Sequence, residues 1–415
     1  MSDAERRVLD VLDVKGLVDY LCELISIPSF GGQETLAQKN IAAKMRKLGL
    51  NVDDWDVDFE KIQRHPAYSM SISRKKGMNV IGAYGGNKGR SLILNGHIDV
   101  VNAGDETKWR YPPWKGTIEN GMVYGRGSAD MKGGLVSALF AVKALIDAGV
   151  PLEGRVMVES VIGEEDGGVG TLDTVVRGYR ADAAIIPEPS ELDVVPAHAG
   201  VMAFKVTIQG KASHASLRDE GVSAIEKFVP LFDALKELEK ERNSRIKDPL
   251  YSRFNIPSPL SIGKIVGGDW PGTVPESLYF EGRVGVHSDE TCEQVQRQVE
   301  NTIKKVSETD PWLREHPPSV DWSGYRFDPG KISLNHPIME TVKASYNAVT
   351  GSLPRVEGKT YSSDMRLLIN WGETPTMIFG PGELRMAHSA NECVSIKNLE
   401  VVAKTLAITI LRWCN

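Results

Sequence analysis

The sequence predicts an α/β protein, a mixed sheet flanked by helices, into which a smaller α+β domain is inserted. Three observations carry this reading. Short apolar runs alternate with helical periodicities over the first 199 residues, the texture changes to alternating strands over 200–329, and the mixed pattern returns from 330 to the end. A chain of 415 residues exceeds what one core usually holds. Two domains are therefore expected, one formed by residues 1–199 with 330–415 and one by residues 200–329.

Taken in order, Val14, Leu17, Val18, Leu21, Leu24 and Ile25 recur at helical spacing, and that helix stops before Pro28. A second helix is predicted over 35–48. Apolar runs at 80–83 and 92–94, separated by Gly85, Gly86 and Gly89, read as strands. From Lys132 a helix places Leu135, Leu139, Val142, Leu145 and Ile146 on one face and ends near Gly149. Runs at 156–162 and 183–186 are further strands. VMAFKVTIQG, from Val201, alternates as an antiparallel or edge strand. A long amphipathic helix follows over 222–245, with Ile225, Phe228, Val229, Phe232, Leu235 and Leu238 on one face. Pro230 is expected to kink it or to mark its first turn. Strands at 260–266 and 278–286, a helix at 291–305 and a strand at 319–325 complete the strand, helix, strand, strand, helix, strand order of a ferredoxin-like domain. The chain closes with a helix at 338–350, a strand at 376–379, the loop GPGELRMAHSANE and a helix at 396–413.

Composition narrows the function classes. Lys and Arg total 49 against 55 Asp and Glu, a net charge of −6, and neither sign forms a long block. Nucleic acid and anionic membrane surfaces are thereby excluded as expected partners. Four scattered cysteines without a C-x-x-C pair, a start MSDAERRV lacking an apolar signal region, and no long apolar span predict a cytoplasmic protein.

The chemistry is concentrated where apolar runs end. SLILNGHIDVV delivers His97 and Asp99 at one strand exit, and YGRGSADMKGG places Asp130 on a tight loop entering a helix. The 156–162 run ends in Gly163, Glu164, Glu165 and Asp166, the 183–186 run ends in Pro187, Glu188 and Pro189, and His388 lies in a late loop. Each has a bland alternative when taken alone. His97 could be a hydrogen-bonded structural histidine, Asp130 a helix cap, Glu164 with Glu165 a solvated turn, Glu188 turn composition and His388 a surface residue. All of these would have to hold at once around one sheet. Two histidines and several carboxylates without a thiolate suit zinc, cobalt or manganese. A pair of such ions roughly 3.5–4 Å apart, sharing a carboxylate and a water whose pKa falls toward ~7, would make a hydrolytic centre.

NGHIDVV, YGRGSADMKGG, GEEDGG, PEPS, GKASHAS and AHSANECV, in this order, resemble the segments of the dinuclear zinc metallopeptidase and amidohydrolase family that includes acetylornithine deacetylase, succinyl-diaminopimelate desuccinylase, aminoacylase and carboxypeptidase G. The resemblance spans nearly the whole chain. It implies two divalent metal ions, zinc first and cobalt or manganese as alternatives. His97, Asp130 and Glu188 would hold one, and Asp130, Glu165 and His388 the other. It further implies that Asp99 orients His97, that Glu164 is the general base, and that His214 steadies the tetrahedral oxyanion from across a homodimer formed by the inserted lid domain. The implied fold is a zinc-peptidase-like catalytic domain carrying a ferredoxin-like lid.

The implied activity is hydrolysis of the amide bond of an N-acyl amino acid or related small amide by a metal-bridging hydroxide. A dipeptidase or carboxypeptidase with the same metal centre is the alternative, and a non-catalytic small-molecule binding protein is a third reading that the intact metal set disfavours. Arg283 in FEGRVGV matches a lid arginine that meets a substrate carboxylate, a role suited to a planar bidentate donor. Ser362, Ser363, Asp364 and Arg366 in KTYSSDMRLL resemble a substrate loop of the desuccinylases, with Met365 in place of a small residue. Gly272 stands before Thr273, Val274 and Pro275 where that branch often has asparagine, so an amide that would contact substrate is absent.

Overall fold

A computed structural model describes residues 1–415, which fall into two compact units. The larger comprises residues 1–196, 331–357 and 363–415, and the smaller residues 197–330 and 358–362.

The larger unit is built on a six-stranded mixed sheet in the order Asn51–Asp56, Met78–Gly85, Arg155–Val161, Leu92–His97, Ala183–Ile186, Thr376–Ile378. The last four strands run parallel to one another, and the first two pair antiparallel at one side. Buried parallel strands need apolar residues on both faces, which is why Leu92–His97 and Ala183–Ile186 are buried at every position and read as continuous rather than alternating runs. The edge strand Asn51–Asp56, NVDDWD, gave no apolar signal. Its charges face solvent and blunt an otherwise pairable edge.

The Lys132–Asp147 helix packs against Val14–Ile25 and Ile396–Cys414. The sequence spacing picks out one face, yet Val136, Ala138, Phe140, Ala141 and Ala144 are buried as well. An apolar helix covered on all sides has no single wet face to reveal. Its first turn lies so close to the 187–188 segment that a Cβ on Gly134 would sit 1.9 Å from the Pro187 carbonyl oxygen. That glycine lets the helix start beside a strand exit.

The smaller unit has an antiparallel sheet in the order Leu260–Gly267, Ser277–Val286, Gly200–Gln209, Ser319–Asp321, the ferredoxin-like arrangement. Its core joins Phe204, Val206 and Phe280 of the sheet to Leu231, Leu235, Val295 and Val299 of the Ala224–Arg245 and Cys292–Thr309 helices. The first helix starts at the Ser223 cap, whose hydroxyl accepts from the Glu226 amide, and continues through Pro230. The strand expected over 319–325 is shorter. The Ser323 amide and hydroxyl both donate to the Asp321 carboxylate, at 2.8 and 2.9 Å, and this turn interrupts the ladder before Arg326–Phe327 pairs again with Gly200–Gln209.

Candidate active site

Parallel neighbours release the chain at the same edge, so the exits of Leu92–His97, Arg155–Val161 and Ala183–Ile186 bring His97, Glu164, Glu165 and Glu188 together. Asp130 joins them from the loop before Lys132–Asp147, and the Asp130–Met131 peptide is cis. His388 arrives from the loop between Thr376–Ile378 and Cys393–Ser395 in a left-handed conformation, φ 57°. For a residue with a Cβ that costs on the order of 1 kcal/mol, which the contacts of the imidazole must offset.

Asp130 stands between two half-sites. His97 Nε2 is 3.2 Å from Asp130 Oδ1 and 3.4 Å from Glu188 Oε1. His388 Nε2 is 2.9 Å from Glu165 Oε2 and 3.4 Å from Asp130 Oδ2. Donor atoms of His97, Asp130 and Glu165 lie within 4.8 Å of one another, as do those of His97, Glu164 and Glu188. Four carboxylates thus face two imidazoles, an arrangement that an added cationic charge would relieve. Burial pushes the carboxyls of Asp99 and Glu188 up to about 7 and that of Glu164 well above the usual carboxylate range. Against the same cost of burial, hydrogen bonds from His388 and His97 hold Asp130 below it. Hydrogen bonds to Asp130 and Glu165 raise His388 to about 10. An all-oxygen and imidazole donor set with an anion excess fits divalent zinc, cobalt or manganese.

Asp99 differs from expectation in how it meets His97. The imidazole Nδ1 contacts the Asp99 main-chain oxygen at 2.9 Å, whereas the Asp99 carboxylate is 3.8 Å away. That carboxylate instead accepts the backbone amides of Glu164 at 3.3 Å and Glu165 at 3.1 Å. One residue therefore fixes the ring through its carbonyl and the adjacent acidic loop through its side chain.

A second anchor went unmarked in the sequence. Glu392 accepts the amides of Ala129 and Asp130 on one oxygen, at 2.9 and 3.0 Å. Its other oxygen accepts Gly127 N–H at 3.1 Å and Arg126 Nη1 at 2.7 Å. Burial holds this carboxyl up to about 7 in spite of Arg126. Lys132 is buried with its ammonium donating to the Leu24 and Ile27 carbonyls at 2.9 and 3.0 Å, and burial lowers it to about 7. Glu392 and Lys132 lie inside the motifs already quoted, so their signal was present but without a partner in sequence.

The remaining residues singled out from the sequence are dispersed. His214, Arg283 and Ser362 belong to the smaller unit. His214 is exposed, caps the 215–220 turn and has Nδ1 2.7 Å from Ser216 Oγ. Arg283 is exposed on Ser277–Val286, and Ser362 is half-buried. Arg366, in the larger unit, is buried and donates from Nη2 to the Gly167 carbonyl at 2.8 Å.

A model of peptidase family M20/M25/M40 matches residues 93–412. The chain belongs to this family. Membership makes it a metal-dependent amide hydrolase. The N-formyl-4-amino-5-aminomethyl-2-methylpyrimidine deformylase of Halalkalibacterium halodurans is 34% identical over 398 residues, 91% of this chain and 89% of that protein. A probable succinyl-diaminopimelate desuccinylase of Staphylococcus aureus is 28% identical over 352 residues, covering 78% of this chain and 84% of that one. Among solved structures, a Staphylococcus aureus tripeptidase superposes with a TM-score of 0.74 at 22% identity, covering 97% of this chain and 99% of that one. Human carnosine dipeptidase 1 gives 0.73 at 17%, covering 100% of this chain and 99% of that one. At these identities the two structures speak for the fold. No helix is long and apolar enough to cross a membrane.

Proposed function

We propose that this M20-family hydrolase removes a short acyl group from the nitrogen of a small amine, with an N-formyl aminomethylpyrimidine as the first substrate to test. The observation that carries the substrate class is the 34% identity, spread over 91% of the chain, to a formyl-pyrimidine deformylase, against 28% over 78% for a desuccinylase. Gly272, where a desuccinylase-like chain often has asparagine, points the same way. N-acyl amino acids are the second reading, favoured by Arg283, an exposed planar donor suited to a substrate carboxylate.

In this reading His97, Asp130 and Glu188 hold one divalent cation and Asp130, Glu165 and His388 a second. Two cations there would polarise the amide carbonyl and acidify a water. Glu164, unclaimed by either ligand set, takes a proton as the water oxygen attacks the carbonyl carbon, and returns it to the amine nitrogen as the C–N bond breaks. Asp99 keeps His97 and the Glu164–Glu165 backbone in register. His214 donates to the oxyanion from the partner subunit of a homodimer. Support for pairing of the smaller units comes from the outer edge of Leu260–Gly267, with Ile265 and Val266 51% and 45% exposed, and from Ile225, Val229 and Phe232 on Ala224–Arg245, 45%, 52% and 37% exposed.

The test combines elemental analysis with amine release from N-formyl aminomethylpyrimidine, N-acetyl and N-succinyl amino acids and dipeptides, for the native chain and Glu164→Ala. Near two divalent ions per chain, with release from the formyl compound lost in the variant while metal is kept, is the expected result. Metal-independent release, or full activity in Glu164→Ala, would overturn it.

A further inference from the structure

Behind the acidic loop lies a buried guanidinium that no step above uses. Arg74 is 6% exposed, in the segment SISRKKGMN, next to Lys75 and Lys76. Its Nη1 donates to both carboxylate oxygens of Asp166, at 2.7 and 2.6 Å. Its Nε and Nη2 donate to Glu34 Oε1 at 3.1 and 2.7 Å. Both acids are buried, Glu34 at 1% and Asp166 at 5% exposure.

Three separate stretches of chain converge on this ion triplet. Glu34 Oε1 also accepts the Gly32 amide at 3.0 Å, which fixes the turn before the Thr35–Lys47 helix. Asp166 Oδ2 accepts the Ile72 amide at 2.8 Å, and the Asp166 carbonyl accepts the Ser71 amide and hydroxyl at 2.9 and 3.0 Å. The guanidinium lies against the backbone of Gly163, since a Cβ there would be 3.3 Å from Arg74 Cζ. Glu164 and Glu165 are therefore held from two sides. Asp99 takes their amides at the front, and Asp166, next in sequence, is clamped by Arg74 at the back.

A planar five-donor cation suits this task, because it can bind two carboxylates in fixed directions where an ammonium would act as a point charge. Burying two carboxylates with one cation is not a favourable way to gain stability, and an apolar trio of equal volume would often serve as well. What such a triplet supplies is direction.

We propose that Arg74 is a positioning residue that sets the Glu164 carboxylate for proton transfer through Asp166, with Glu34 fixing the guanidinium. The proposal rests on Glu164 being the general base, as argued above. A misplacement on the order of 1 Å at a reacting group costs about 100-fold in rate. The effect should fall on kcat, because Glu164 is neither a ligand in the proposed metal set nor a substrate anchor.

The experiment measures kcat, KM, metal content and thermal unfolding for Arg74→Lys, Arg74→Met, Asp166→Asn and the Arg74→Met/Asp166→Asn double variant, with Glu164→Ala as reference. Arg74→Met and Asp166→Asn should each lower kcat by about 100-fold with KM within threefold and metal retained. The double variant should be no worse than the poorer single, and Arg74→Lys should recover part of the loss. Folded, metal-loaded variants with kcat within threefold of native, or losses that multiply in the double variant, would overturn the proposal. If Arg74→Met does not fold, Asp166→Asn and Arg74→Lys decide by the same criteria. Full activity in Glu164→Ala would instead refute the assignment of the base, so the two failures are distinguishable.

Discussion

Replacing Glu159 by glutamine should stabilise the larger unit at pH 8 and do much less at pH 5. Glu159 lies within Arg155–Val161 at 0% exposure. Its Oε2 accepts Asn95 Nδ2 at 2.9 Å. Burial pushes the carboxyl from 4.5 up to about 7 despite hydrogen bonds with Asn95 and Thr174, and nearby Asp364 adds to the rise. The folded value lies above the unfolded one, so the folded chain holds a proton that the unfolded chain releases. Stability is lost as pH climbs from 4.5 to about 7 and is level beyond. At 1.36 kcal/mol per pH unit the gap from 4.5 to about 7 amounts to roughly 3 kcal/mol by pH 8 and roughly 1 kcal/mol at pH 5. Glutamine keeps the shape and the oxygen that accepts from Asn95 but never ionises. Its gain at pH 8 should appear as a rise in apparent Tm of about 5–10 °C. Thermal unfolding of both proteins at pH 5 and pH 8, at one scan rate and fixed metal concentration, reads this difference. An equal shift at both pH values, or a lower Tm for the variant at pH 8, would refute the assignment of a protonated buried carboxyl.

Two further outcomes follow from the geometry. Glu392→Gln turns an amide N–H donor toward backbone or guanidinium donors and leaves Arg126 buried without its anion, which should cost about 3–5 kcal/mol and lower both Tm and bound metal. Unchanged metal content would show that the 127–130 backbone holds Asp130 without it. Val229→Glu combined with Ile265→Lys should convert a dimer to a monomer in sedimentation and lower kcat while leaving metal content intact. A monomeric native protein of full activity would refute the pairing of the smaller units.

How much of the site was legible depends on which residues end strands. His97, Glu164, Glu165 and Glu188 were readable because a parallel strand inside an α/β sheet is an uninterrupted apolar run, and a charged residue at its end breaks the pattern visibly. Asp130 was readable from the glycines around it. Arg74 and Glu34 were not, because each sits in a polar loop where a charge is the default, and only the pairing 40 residues apart distinguishes them. The interruption at Ser323 was invisible for a related reason, since a side-chain turn of one serine on one aspartate has no periodicity to break.

Fold class, the two textures, and the inventory of two imidazoles and several carboxylates at strand exits and in adjoining loops are legible in the chain's order of residues, because they follow from hydrophobic period and local turn chemistry. Which atoms face which is a matter of the folded arrangement. Folding placed the Asp99 carboxylate on the Glu164 and Glu165 amides rather than on His97, gave Glu392 to the Asp130 loop 262 residues away, and set Arg74 against Asp166. The physical reason is that burial makes an unpaired charge costly, and the partner that relieves it is found by proximity in the folded chain, not by spacing along it.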